Sequence, residues 1–262
     1  MSSLFFDLSG RVALVTGAGQ GVGRGIALAL AAHGARVAVN DFDGDRADRV
    51  VMEIRAAGGT ALAVQGDVAE RGAVEAMRDR VTNTLGAVDI LVNNAGNAGP
   101  DGTMPRTRFW ETDPAEWDRY LRVNLYGVMQ CARVFAGAMA DCGWGRIITI
   151  VSDAGRLGEQ GHEAYSAAKA GAAGFSRALA RSLGQHGVTV NNIALSNIGR
   201  PGEAPSSEAQ SEAIRKMLRH YIVRRQGRPD DVAPMVLLLA SDAGEWITGQ
   251  TYPVNGGYAL AL

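Results

Sequence analysis

Residues 11–23 read RVALVTGAGQGVG: an apolar, β-branched run at 11–16, a turn with almost no side chains, then a helix-patterned stretch at 22–33. This is strand, tight turn, helix. Further strand-like runs stand at 36–40, 61–65, 88–93, 146–151, 188–194 and 251–254, most followed by a segment with helical apolar spacing. Runs that are apolar nearly throughout are buried on both faces, so they imply a parallel sheet covered by helices. The expectation is one doubly wound α/β domain over 1–262, with about seven parallel strands and helices on both faces. One stretch breaks the rhythm. Residues 199–207, GRPGEAPSS, precede a basic helix candidate at 208–225, which together read as a loop and substrate lid at about 199–225.

The 262 residues are 47% hydrophobic and 20% charged, with a net charge of -1, which gives no electrostatic reason to expect nucleic acid or an anionic membrane surface. Cys131 and Cys142 fall inside one helical stretch and provide neither a disulfide framework nor a zinc-ligand pattern. His33, His162, His186 and His220 are dispersed, so no metal is expected. The N-terminus lacks a basic leader, and the apolar run at 235–240 is far below membrane-spanning length. These features point to a cytoplasmic protein whose partners are small molecules and copies of itself.

The turn Thr16-Gly17-Ala18-Gly19-Gln20-Gly21-Val22-Gly23 opens a helix whose free N–H groups and dipole suit a pyrophosphate. Its spacing is T-G-x-x-x-G-x-G, since residue 22 is Val and G-x-G-x-x-G does not fit. Asp41 closes the second strand, where a carboxylate can accept hydrogen bonds from both adenosine ribose hydroxyls and repels a 2′-phosphate. Gln20 and Phe42 offer that phosphate no base, so the expected cofactor is NAD rather than NADP. Asp41 also reads as the start of an acidic turn with Asp43 and Asp45. Asp67-Val68 and Asn93-Asn94-Ala95-Gly96 end the third and fourth strands, on the edge where a Rossmann-type sheet binds ligands. Asx and Gly are equally ordinary turn formers there.

Tyr165 and Lys169, in YSAAK, lie one helical turn apart on one face. A phenol ionises near pH ~10, so a base working near neutrality needs the help of a nearby cation. With these residues the sequence resembles the short-chain dehydrogenase/reductase family over nearly its whole length. The resemblance joins TGAGQGVG at 16–23, NNAG at 93–96, Asn124 in RVNLYG, Ser152, YSAAK, GRPDDVA at 227–233 and ITGQTYPVNGG at 247–257. It implies that Tyr165 is the acid/base and that Lys169 lowers the tyrosine pKa and binds the nicotinamide ribose. Ser152 would hydrogen-bond the reacting oxygen, and Asn124 would hold a water beside Lys169. It also implies dinucleotide contacts from Gly17, Gln20, Gly21, Val22, Gly23, Asp41, Asp67, Val68, Asn94, Ala95 and Gly96, with Tyr165, Lys169 and Ile198 at the nicotinamide end.

The chain departs from the family pattern after Val190-Asn191. An Ala-Pro-Gly turn with a following Thr is usual there; this chain has Ala194-Leu195-Ser196-Asn197-Ile198-Gly199-Arg200, which leaves the shape of the loop open. The run at 151–158, VSDAGRLG, resembles dehydrogenases of alicyclic hydroxyacyl-CoA thioesters, and the chain is also similar to 3-oxoacyl-carrier-protein reductases. Arg215, Lys216, Arg219, His220, Arg224 and Arg225 read either as a site for coenzyme A phosphates or as a solvated face paired with Glu208 and Glu212. Small residues from Ala167 to Gly174 and an apolar tail at 258–262 suit a homo-oligomer, a tetramer by family resemblance. The expected function is NAD-dependent interconversion of a secondary alcohol and a ketone, with a hydroxyacyl or ketoacyl thioester as one substrate class. The alternatives are an NADPH-dependent 3-oxoacyl reductase and a non-catalytic NAD-sensing protein on the same fold.

Overall fold

The four residues of β1 (Val12–Val15) are all buried, as an apolar strand covered on both faces requires. In the computed structural model, which describes residues 6–96, 108–199 and 207–260, β1 leads through the glycine-rich turn into α1 (Gly21–Ala32). The unit repeats through β2 (Arg36–Asp41), α2 (Gly44–Ala56), β3 (Thr60–Gln65), α3 (Arg71–Thr84) and β4 (Ile90–Asn93). The second half runs through α4 (Pro114–Leu121), a π-helical turn (Arg122–Gly127), α5 (Val128–Cys142), β5 (Gly145–Ser152), α6 (Ala154–Leu157) and α7 (Glu163–Leu183). It ends with β6 (Val188–Leu195), α8 (Glu208–Leu218), α9 (Pro229–Ala240) and β7 (Thr251–Val254).

The seven strands form one sheet in the order β3-β2-β1-β4-β5-β6-β7, and every neighbouring pair is parallel. This is the doubly wound α/β architecture read from the sequence. Two apolar layers cover it. One buries Ile26, Leu30, Val50, Ile54, Val232 and Val236 of α1, α2 and α9 against Val15, Val37, Ile148 and Ile193. The other buries Val74, Met77, Phe135 and Met139 of α3 and α5 against Leu14, Leu91 and Ile147. Each wholly buried Leu or Ile contributes about 1.5–3 kcal/mol relative to exposure. The order reverses between β1 and β4, which opens a crevice at the C-terminal ends of the strands. At the opposite edge, the guanidiniums of Arg11 and Arg146 approach the Trp144 ring, 3.5 and 4.3 Å from its centre.

Strand limits differ from the sequence reading by one or two residues, and one helix differs more. The basic helix expected to reach about residue 225 stops at Leu218. Beyond it Tyr221 turns inward, only 4% exposed, and the Val223 N–H donates to the Gly256 carbonyl at 2.8 Å. The chain is drawn onto the sheet edge, and a straight helix could not reach it. No helix of the described residues is long and apolar enough to cross a membrane.

Candidate active site

The turn between β1 and α1 is shaped by close approach. Gly17 has φ +59°, and a Cβ there would lie 2.8 Å from the Ala95 Cα, so a side chain would be both strained and obstructed. The Asn94 amide donates to the Thr16 and Gly17 carbonyls at 2.9 Å each, while Thr16 Oγ1 accepts from the Asn94 and Ala95 N–H groups at 3.0 Å each. Asn94 thus fixes the turn through its side chain. Gln20 is exposed, stands at the start of α1 and gives it no side-chain cap, which leaves the first N–H groups around Gly21, Val22 and Gly23 facing the crevice edge.

Asp41 ends β2 and is 7% exposed. Its two carboxylate oxygens accept from the N–H groups of Gly19 (2.9 Å) and Asp43 (3.0 Å) and keep further lone pairs toward the turn. Asp43 separately caps α2 by accepting from the Arg46 N–H. A residue the sequence reading passed over stands beside Asp41. A Cβ on Gly19 would lie 2.5 Å from the Arg46 Cβ, so this arginine flanks the same turn, with its guanidinium 3.2 Å from Asp43. Positions 20 and 42 do not exhaust the neighbours of the turn: the first turn of α2 brings residue 46 back toward the glycines. Asp67 accepts from the Ala69 N–H at 2.8 Å, and Val68 is buried against Gly127 of the π-helical turn.

Ser152, Tyr165, Lys169 and Asn124 come from three segments: β5, α7, which carries both Tyr165 and Lys169, and the π-helical turn. Ser152 ends β5 and accepts from the Ala154 N–H at 3.2 Å, which turns the chain into α6. A Cβ on Gly155 would meet the Ala170 N at 2.7 Å, so α6 packs directly on α7 at the level of Lys169. Lys169 is buried, donates to the Ile150 carbonyl at 2.9 Å and lies 5.8 Å from the centre of the Tyr165 ring. Asn124, wholly buried in the π-helical turn, donates to the Tyr120 carbonyl at 2.9 Å. Wide helical turns of this kind concentrate at functional sites. Gly96 completes the group: a Cβ there would lie 2.9 Å from Asn124 Oδ1 and 3.0 Å from Lys169 Nζ.

Burial dominates the electrostatics of the Tyr165 and Lys169 pair. Burial pushes the Tyr165 phenol above its ordinary range, the Ser152 hydroxyl pulls the other way, and Glu159 adds to the rise. Burial acts on Lys169 as well and draws its ammonium down to about 8. Ile198 packs on the apolar layer over α1 and pairs with Gly227. Arg200 lies outside the described residues. In the segment from α8 to α9, Arg215 pairs with Glu208 at 2.6 Å, Lys216 with Glu212 at 3.3 Å and Arg225 with Asp231 at 2.6 Å, so half of the basic cluster already has acidic partners. Tyr221, also passed over in the sequence, closes on Ser196 and Asn197.

A side-chain-free turn, an uncapped helix start, a carboxylate at the end of β2 and the space at Gly96 between Asn124 and Lys169 together fit a dinucleotide. The comparisons agree. The family model described as enoyl-(acyl carrier protein) reductase matches residues 17–259. A 3-oxoacyl-[acyl-carrier-protein] reductase of Synechocystis sp. is 39% identical over 97% of this chain and 98% of its own. The (2S)-[(R)-hydroxy(phenyl)methyl]succinyl-CoA dehydrogenase subunit BbsD of Thauera aromatica is 38% identical over 97% of this chain and 98% of its own. Among solved structures, a gluconate 5-dehydrogenase from Burkholderia cenocepacia, in complex with NADP and tartrate, superposes with a TM-score of 0.89 at 31% identity, over 100% of both chains. Matches of this extent mean that the chain belongs to the short-chain dehydrogenase/reductase family, oxidoreductases that act between a hydroxyl and a ketone with a nicotinamide cofactor.

Proposed function

We propose that the chain is an NAD-dependent dehydrogenase of a secondary alcohol, with Ser152, Tyr165, Lys169 and Asn124 as its catalytic set. The observation that carries the cofactor choice is Asp41, a buried carboxylate against the glycine-rich turn, with Arg46, the base flanking that turn, held by Asp43. Gly17, Gln20, Gly21, Val22 and Gly23 would hold the pyrophosphate through backbone N–H groups. Asp67, Val68, Asn94, Ala95 and Gly96 would line the adenine and ribose side, with Ile198 at the nicotinamide. When bound, the nicotinamide supplies the hydride acceptor. Tyr165 takes the hydroxyl proton during oxidation and returns it during reduction. Ser152 donates to the same oxygen, so two hydroxyls converge where charge develops. Lys169 holds the ribose, and Asn124 keeps the proton route beside it open.

The substrate class we favour is a hydroxyacyl or ketoacyl thioester. Support comes from the activities named for the Synechocystis and Thauera relatives and from Arg219 and Arg224, for which the described residues provide no ion pair. Residues 199–225 would serve as the lid of a single catalytic domain, in a cytoplasmic homotetramer. Steady-state kcat/KM with NAD and NADP, across secondary alcohols, sugars and hydroxyacyl thioesters, tests the proposal. NAD is expected to exceed NADP by at least about tenfold, and Asp41→Ala to erase the gap. Equal or better use of NADP by the wild type refutes the cofactor assignment. Failure of all substrates despite dinucleotide binding favours the sensor.

A further inference from the structure

The loop that replaces the family's Ala-Pro-Gly turn is held by a residue from the far side of the lid. The Tyr221 hydroxyl shares a hydrogen bond with Ser196 Oγ and accepts from the Asn197 N–H at 3.1 Å. The next residues continue the tie. Asn197 accepts from the Gly227 N–H at 3.1 Å through its carbonyl and from Gln226 Nε2 at 2.7 Å through its side chain, and the Gly199 N–H donates to the Gly227 carbonyl at 2.9 Å. Tyr221 is itself fixed, with its ring 5.0 Å from that of Tyr258. The C-terminal turn behind it reaches the residue after Ser152: Asn255 Nδ2 donates to Asp153 Oδ2 at 2.7 Å, and the Asp153 N–H donates to the Leu195 carbonyl at 2.9 Å. A cavity of about 340 Å³ lies along this loop, lined among others by Asn197, Ile198, Tyr221 and Val254.

A Pro-Gly turn fixes backbone direction covalently, through a locked φ at Pro and the freedom of Gly. Ser196 and Asn197 impose no such restriction, so this chain must set the path of residues 196–199 by other bonds. We infer that Tyr221 is a positioning residue whose hydroxyl holds the loop carrying Ile198 in place for the nicotinamide end of the dinucleotide. The inference rests on the proposal above that Ile198 meets that end. Because Tyr221 stands three residues past α8, the same hydroxyl joins the return limb of the lid to the cofactor loop.

Binary binding of NAD and of ADP-ribose, which lacks the nicotinamide, isolates the effect without turnover. Tyr221→Phe keeps the ring against Tyr258 and removes only the hydroxyl. NAD affinity is expected to fall about tenfold while ADP-ribose affinity stays within about twofold, the size of one lost hydrogen bond at a part-buried site. A merely structural role would weaken both ligands alike or neither, and either result overturns the inference. Ile198→Ala tests the underlying reading. If Ile198→Ala weakens NAD selectively and Tyr221→Phe does not, Tyr221 alone is refuted; if neither variant separates NAD from ADP-ribose, the placement of the loop falls, and the inference with it. Should Tyr221→Phe fail to fold, Ser196→Ala carries the test. It is expected to weaken NAD about threefold with ADP-ribose unchanged, and no selective loss counts against the inference.

Discussion

Lys169 carries its charge where water does not reach it, with one carbonyl as a described hydrogen-bond partner. Its pKa is drawn down to about 8 by burial, which penalises the ammonium. As pH rises through about 8, the protein without dinucleotide loses this cation, well before an ordinary lysine would near ~10.4. NAD affinity in the binary complex is therefore expected to weaken several-fold between about pH 7 and 9, measured by isothermal titration, and Lys169→Ala is expected to show no such dependence. The phenol shifts the other way. With its pKa raised, Tyr165 keeps its proton near neutrality, so oxidation, which needs the base form, is expected to rise with pH, and reduction, which needs the acid form, to fall. Tyr165→Phe is expected to lower kcat by at least about 100-fold in both directions with NAD affinity within about twofold; a smaller loss of turnover counts against an acid/base role. At this scale the sequence was informative where the chemistry is local. Tyr165 and Lys169 share one turn of one helix, and Ser152 ends an apolar strand. Tyr221 escapes a local reading because its partners Ser196 and Asn197 lie 25 and 24 residues away, whereas Arg46 was within reach of one, since the first turn of α2 brings it back to Gly19.

At the scale of elements, α9 shows how a helix start doubles as a clamp. Pro229 opens it, and Asp231 in its first turn accepts from the Arg228 N–H at 2.7 Å and from both terminal nitrogens of Arg225 at 2.6 and 2.7 Å. These bonds hold the Asp231 carboxyl down at about 2, led by Arg225. A depressed carboxylate stabilises the fold above its unfolded pKa, and the contribution fades as pH falls through about 2. Asp231→Asn is expected to cost about 1 kcal/mol near neutrality, read as a lower melting temperature, with the gap to wild type closing below about pH 4. The strands were readable to within a residue or two because burial on both faces writes a continuous apolar run. The sequence reading extends α8 too far because charge continues through residue 225 while the helix stops at Leu218. What ends it is Tyr221-Ile222-Val223, an apolar interruption whose meaning depends on the sheet edge it meets.

For the whole molecule, the unpartnered surface of α5 and α7 bears on assembly. Tyr126 and Met129 are 47% and 40% exposed, beside a groove of about 470 Å³ completed by Ala136, Phe175 and Leu179. If two copies meet on this face, Met129→Glu is expected to reduce the mass found by light scattering at micromolar concentration, with the melting temperature of the remaining species little changed. A monomeric wild type, or an unchanged assembly, contradicts that arrangement. The strand order comes from the structure, whereas the doubly wound parallel sheet was legible from alternation. The surface partner was not, because exposed apolar residues become a patch only once two helices are laid side by side. The stack of Arg11, Trp144 and Arg146 at the edge opposite the crevice has a practical consequence for spectroscopy. Trp144 also donates to Asp242 at 3.1 Å, so its indole is immobilised in a cationic setting far from the candidate site. Trp117, stacked 5.3 Å from Phe109 just ahead of the π-helical turn, has a different environment. Intrinsic emission thus contains a reporter of global unfolding in Trp144 and one closer to ligand arrival in Trp117, over a background from the exposed Trp110 and Trp246, and a variant that keeps only Trp117 would make the second readable.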